Sequence, residues 1–348
     1  MFNKKTIIIV GAGASKDFGL PTGAEVYSKL LREEVNSISN DYHPDRDIFS
    51  GSFSAFLAFA NEYTLQQQLS EFIQAVKNDG TANSIDLFAD FYPEFTEISK
   101  LYSTWSILGS MYEKKKPKHT SRGYDVHFDQ SYLSPSKIWL NGVIPPTYDR
   151  PEKDNWISAL LRKHLDNVNP ISEVRDNNLT IVTFNYDTII ENFLTQSIRK
   201  IPKFKDSAKQ LMPKVLHVYG AFNELQDYPR SQDILRHAEN ISYIHDNDEE
   251  NTETLTDIKN EISQAECIFI VGFDAAIQNS DKINLSESRA HKFALNYDGN
   301  IGLNNRLADV GVPSENIMTG SLPKACSESF FDQGDRLTKP AIYSLNNL

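Results

Sequence analysis

The chain has 348 residues, 40% of them hydrophobic and 24% charged, enough apolar material for a packed core and against wholesale disorder; the length suits one large domain or two ordinary ones. Its 35 basic and 47 acidic residues leave a formal charge of −12. That balance opposes sequence-independent grip on a phosphate backbone, so direct nucleic-acid binding is not expected. The two cysteines, Cys267 and Cys326, are too few for a disulfide scaffold or a four-cysteine zinc ribbon, and they fit a reducing, cytoplasmic setting.

At the N-terminus, Lys4-Lys5 before IIIVGAGAS superficially looks like a signal peptide. Its unbroken aliphatic stretch is only Ile7 to Val10, however, whereas a secretory core wants about 7–15 apolar residues. The segment is expected to stay in the mature protein. No run approaches the roughly 20 apolar residues of a membrane helix, and no membrane segment is expected.

TIIIV (Thr6–Val10) is β-branched, lacks polar alternation and stops at Gly11, as strands buried on both faces do. LTIVTF (Leu179–Phe184), VLHVY (Val215–Tyr219), ISYIH (Ile241–His245) and CIFIV (Cys267–Val271) read the same way. Helical spacing separates them, in the stripes Ile189, Ile190, Phe193, Leu194 and Leu255, Ile258, Ile262. Thr22-Gly23-Ala24-Glu25 reads as a capping box opening the helix of Val26, Tyr27, Leu30 and Leu31. The alternation predicts an α/β, Rossmann-like doubly wound parallel sheet with a mostly helical insertion.

Residues 1–40 are read as the first βα part and 41–170 as the insertion. Residues 171–325 form the remainder of the sheet domain, and 326–348 a C-terminal tail. Inside the insertion, Phe53, Phe56, Leu57, Leu65, Leu69, Phe72, Ile73 and Val76 keep helical spacing. Residues 113–155 are proline-rich and loop-like, and their basic run Lys114–Lys118 is read as a solvated loop. The acidic stretch Asp246–Glu253 is read as a second loop.

Four short pieces carry chemistry. Gly11-Ala12-Gly13-Ala14-Ser15 after the first strand allows a tight turn and close approach of backbone to a diphosphate, although glycines there can also simply turn the chain. The dinucleotide fingerprint is incomplete, since Lys16 stands where its last Gly or Ala belongs. Thr183-Phe184-Asn185-Tyr186-Asp187 ends a buried strand, where side chains face the crevice of an open α/β sheet. Asn185 there can order a water or a ribose hydroxyl, or with Asp187 form a turn and helix cap. His217, in VLHVYG, is either a hydrogen-bonded core histidine or a proton acceptor near neutral pH. Gly272 ends the strand of CIFIV.

In this order the pieces GAGASKDFGLPTG, TFNYD, HVYG and the late VGFD, with SIDLFADF (Ser84–Phe91) between the first two, resemble the sirtuin-like NADase family, in particular its bacterial antiphage-defence branch. The short motifs cover under a fifth of the chain, while their order spans residues 6 to about 280. The resemblance implies NAD+ as substrate, with Gly11, Ala12, Gly13, Ser15, Thr183, Asp187 and Gly272 on the dinucleotide and Asn185 and His217 as catalytic residues. It further implies a cytoplasmic NAD+ glycohydrolase of an antiviral defence system, yielding nicotinamide and ADP-ribose, that works as a homo-oligomer or with a partner such as a HerA-like ATPase.

Two departures bear on this. The zinc cysteines of deacylating sirtuins are missing, so no zinc or other metal is expected and a protein deacylase is disfavoured. The family histidine directly precedes the glycine, a place held here by Tyr219, with His217 two residues and about 6.6 Å earlier along a strand. The alternative is therefore a non-catalytic NAD- or ADP-ribose-binding regulatory subunit of a defence complex.

Overall fold

A computed structural model describes residues 2–33, 48–49, 52–114, 119–120, 123–124, 133–135, 155–166, 178–222, 230–244, 246, 252–296, 299–319 and 330–336. Six parallel strands form the main sheet: β1 (Thr6–Val10), β2 (Leu179–Thr183), β3 (Lys214–His217), β4 (Cys267–Val271), β5 (His291–Asn296) and β6 (Ile317–Thr319). Every residue of β1, β2 and β4 is buried, which is why these strands read as unbroken apolar runs. The order across the sheet is β3-β2-β1-β4-β5-β6. The chain therefore winds outward from β1 on one side and returns to its other side for β4, so the direction of winding reverses between β1 and β4. Ligands of doubly wound sheets sit outside the carboxyl ends of the strands at such a reversal.

Register aligns that rim. Val10 lies opposite both Thr183 and Val271, and Thr183 lies opposite His217. The ends of β1, β2, β3 and β4 are thus level, and His217 is set beside the TFNYD turn by strand pairing.

The chain divides into two compact units. The first comprises Met1–Asp17, Asn141–Val218 and Asp248–Leu348 and contains the whole sheet. The helices Ile189–Arg199 and Thr252–Ser263 bury the expected stripes. The second unit, Phe18–Leu140 and Tyr219–Asn247, is mainly helical. Its aromatic core joins Phe53, Phe56, Tyr102 and Trp105, with Phe53 and Tyr102 edge-to-face at 5.0 Å. Thr22 accepts from the Glu25 N–H at 3.3 Å while the Glu25 carboxylate accepts from the Thr22 N–H at 2.8 Å, the reciprocal cap its sequence announces. Among the described residues no helix is long and apolar enough to cross a membrane.

The ISYIH segment is not a strand: Ile241 to Tyr243 are irregular and Ile244 lies in a turn, with His245 outside the described residues. Ile241 and Tyr243 are buried, but the segment's amides are satisfied outside any sheet. Ser242 N–H donates to Tyr219 O at 2.9 Å and Tyr243 N–H to Asp246 Oδ2 at 2.6 Å. Conversely, β5 and β6 carry no long aliphatic run, and the sequence does not announce them. Most of the basic run, the acidic loop and the C-terminal tail lies outside the described residues.

Candidate functional site

The glycine turn is shaped by its neighbour across the winding reversal. Gly11 N–H donates to Val271 O at 3.1 Å, Gly13 N–H to Gly272 O at 3.0 Å, and Ala14 N–H back to Gly11 O at 2.9 Å. A Cβ on Gly11 would fall 2.6 Å from Gly272 O, and one on Gly272 would fall 2.0 Å from Ala14 N. Gly272 also has φ of 62°, in the left-handed region that favours glycine. The glycines therefore let two strand-end turns interlock, and the Gly11 and Gly13 amides are engaged within the chain. The helix after the turn is only Ala12–Ser15. Trp156, buried at the start of the helix Trp156–Leu165, donates its indole N–H to Ala14 O at 3.0 Å; a lone tryptophan gave no sequence signal for that role.

Behind this turn runs a buried polar chain. Asn185 Nδ2 donates to Ser15 Oγ at 2.8 Å and to Gly11 O at 3.3 Å, and Ser15 O–H donates to Asp187 Oδ2 at 2.9 Å. Asp187 Oδ1 accepts from Ile189 N–H at 3.1 Å at the start of the Ile189–Arg199 helix. Thr183 Oγ1 accepts from Asn185 N–H at 3.1 Å. Because a carbonyl oxygen can only accept, Gly11 O fixes which end of the Asn185 amide carries the hydrogens. Asn185 Oδ1 is left buried with no hydrogen-bond partner. An unmet buried acceptor costs about 1–3 kcal/mol, a debt that a ligand hydroxyl or a water relieves.

His217 stands on the other side of the same residue. Its Nδ1 lies 2.8 Å from Asn185 O and its Nε2 lies 2.8 Å from Glu191 Oε1. Burial alone would lower the imidazole pKa. The Glu191 hydrogen bond and charge, the Asn185 carbonyl and the charge of Asp187 outweigh it, and the pKa is raised. Both ring nitrogens thus face acceptors, an arrangement that favours the imidazolium more than in a free histidine. Burial pushes Asp187 up to about 6 despite the Ile189 and Ser15 hydrogen bonds; the Glu191 charge adds to the rise and the His217 charge opposes it.

Asp187 makes stability depend on pH. Its folded pKa lies above its reference of 3.8, so its contribution is fully present below that reference and is lost as pH rises through about 6. The difference is worth about 3 kcal/mol at neutral pH. Asp187→Asn removes the titrating carboxyl, so its melting temperature is expected to vary less between pH 4 and 7.5 than that of wild type. Thermal melts across that range check it, and parallel pH dependence in both proteins would contradict it.

The structure thus brings together Gly11, Gly13, Ser15, Thr183, Asn185, Asp187, His217 and Gly272, with Ala12 half-buried in the same turn. Phe184 and Phe273, which follow β2 and β4, stack at 4.5 Å between ring centres and 18° between planes. Asn296 was missed by the sequence reading. It is fully buried at the carboxyl end of β5 and donates to Asn300 O at 2.9 Å and Asn304 Oδ1 at 2.7 Å, while its Oδ1 has no partner. The signal was present, since LNYD (Leu295–Asp298) echoes FNYD (Phe184–Asp187) at another strand end. Among the described residues no cluster of His, Cys, Asp and Glu could hold a metal ion.

No protein-family model matches the chain, and no curated protein matches it. Among solved structures, it is similar to one reported under "Structural Basis for the Mechanism and Regulation of Sir2 Enzymes". The identity is 10% over 96% of this chain and 94% of that one, with a TM-score of 0.39. A Sir2 homologue–NAD complex is 12% identical over 96% of this chain and 91% of that one, with a TM-score of 0.36. A mutant Sir2 homologue in complex with ADP-ribose is also 12% identical, over 96% and 92%, with a TM-score of 0.37.

Proposed function

We propose that this chain binds NAD+ over the carboxyl rim of its sheet and hydrolyses the bond between nicotinamide and ribose, with water giving nicotinamide, ADP-ribose and a proton. The observation that carries it is the Asn185 amide. Gly11 and Ser15 hold its donor end, His217 holds its main-chain carbonyl, and the one acceptor left over is buried and unpaired. A ribose hydroxyl or the attacking water donates to that oxygen, while Asn296 Oδ1, unpaired at the end of β5, accepts from a hydroxyl of the second ribose. The order and strand context of GAGAS, TFNYD and HVYG support the choice of dinucleotide.

Nicotinamide leaves neutral from a cationic ground state, so no acid is needed. The site must instead exclude bulk water, hold the ribose and position one water, a matter of orientation and fixed dipoles. Both His217 nitrogens are already engaged, so the released proton passes to solvent while His217 holds the Asn185 main chain in place. The same motif resemblance supports a setting in antiphage defence, in the cytoplasm and without zinc, with turnover gated by self-association or a HerA-like ATPase.

One observation favours the second reading, a regulatory subunit that binds NAD+ or ADP-ribose without chemistry. Both His217 nitrogens are already engaged at 2.8 Å, and Tyr219 occupies the place directly before Gly220. Incubating the purified chain with NAD+, alone and with its candidate partner, separates the two. Nicotinamide and ADP-ribose appearing in equal amounts is the expected result. Calorimetric binding of NAD+ with no nicotinamide in either mixture would establish the binder instead.

A further inference from the structure

We infer that Glu191 is a positioning residue of this site: its carboxylate keeps a proton on His217 Nε2 while Nδ1–H of the same ring holds the main-chain carbonyl of Asn185. The geometry leaves little freedom. Asn185 O can only accept, so Nδ1, 2.8 Å away, carries a hydrogen. Nε2 and Glu191 Oε1 are also 2.8 Å apart, and two bare lone pairs do not approach so closely. A proton therefore lies between them.

The charged groups acting on the ring are Glu191, from the Ile189–Arg199 helix, and Asp187, from the turn before it; both are acidic and both favour the imidazolium. The His217 side chain is 11% exposed and that of Glu191 29%, so the pair is partly shielded from water. Glu191 Oε2 is buried without a partner, and Oε1 is the carboxylate oxygen that meets His217. Glu191 follows Asn185 by six residues, so the turn and the first turn of the helix grip the ring from two sides. Fixing the Asn185 main chain fixes where its unpaired Oδ1 is presented.

The consequence for turnover rests on the NAD+ reading; the protonation of His217 does not, and the test separates them. Ring-labelled protein is titrated by NMR, the signal being assigned among the eight histidines with His217→Asn. Wild-type His217 is expected to titrate above 6.5, and Glu191→Gln, which keeps a hydrogen bond but removes the charge, should lower the midpoint by about one unit, a tenfold change in acidity. The alkaline limb of the nicotinamide-release profile should move down with it, and Glu191→Asp should restore part of the shift.

A wild-type His217 that titrates at or below 6.5, or a midpoint unmoved in Glu191→Gln, would overturn the inference, and the wild-type titration decides it even if the variant fails to fold. A shifted midpoint in a protein that never releases nicotinamide would uphold the Glu191 pairing and refute only the hydrolase.

Discussion

Gly272→Ala is expected to yield little stably folded protein. The backbone there has φ of 62°, which costs an L-residue about 1–3 kcal/mol by itself. The new methyl would then sit 2.0 Å from Ala14 N and 2.6 Å from Gly13 C. These are backbone atoms of the facing turn and cannot swing aside as a side chain does. Parting the turns breaks the Gly13-to-Gly272 bond of 3.0 Å and the Gly11-to-Val271 bond of 3.1 Å, each worth about 0.5–1.5 kcal/mol.

Together these come to about 2–6 kcal/mol before the clash itself is counted, the upper part of which is rare for one substitution. Any protein that folds should melt on the order of 5 °C lower, since 348 residues at about 2.1 cal/mol/K each convert about 4 kcal/mol to that shift. Gly299→Ala is the control, because φ there is 68° but nothing lies within 4 Å of the added carbon; it should carry the backbone cost alone. A Gly272→Ala protein melting within two or three degrees of wild type would show that the interlock of the turns is not what holds the rim together.

Asn185→Ala is expected to cut nicotinamide release by about 10²–10³-fold, the usual effect of losing one fixed dipole at a reacting centre. The fold should survive. The alanine keeps the main-chain carbonyl that His217 donates to, and the lost contacts to Ser15 and Gly11 cost on the order of 1–3 kcal/mol. The measurement is release per folded chain, with folding checked by circular dichroism. Wild-type turnover in a folded Asn185→Ala protein would remove this amide from the chemistry.

How much of this was legible in the sequence follows from burial. TIIIV, LTIVT and CIFIV are covered on both faces, so every position is apolar and the strands declare themselves. Lys292 to Asn296 of HKFALN are covered too, but Lys292 carries an ammonium that is accommodated by Ser288 O at 2.7 Å; one charged letter conceals the strand. ISYIH made the opposite error, because burial of its side chains says nothing about where its amides go.

At the rim, residue types were readable and their connections were not. Ser15 and Asn185 are 170 positions apart, and only the pairing of β1 with β2 makes them neighbours. Glu191 reads as an ordinary polar residue beside the Ile189–Ile190 stripe; its tie to His217 depends on β3 pairing with β2.

The central claim is that the unpaired oxygen of Asn185 is where the ligand's hydroxyl or water is received. Calorimetric titration of wild type and Asn185→Ala with ADP-ribose tests it most directly. Wild type should saturate at one ADP-ribose per chain, with the variant at least tenfold weaker, the equivalent of about 1.4 kcal/mol. Equal affinities in the two proteins, or a folded wild type that gives no binding heat, would contradict it.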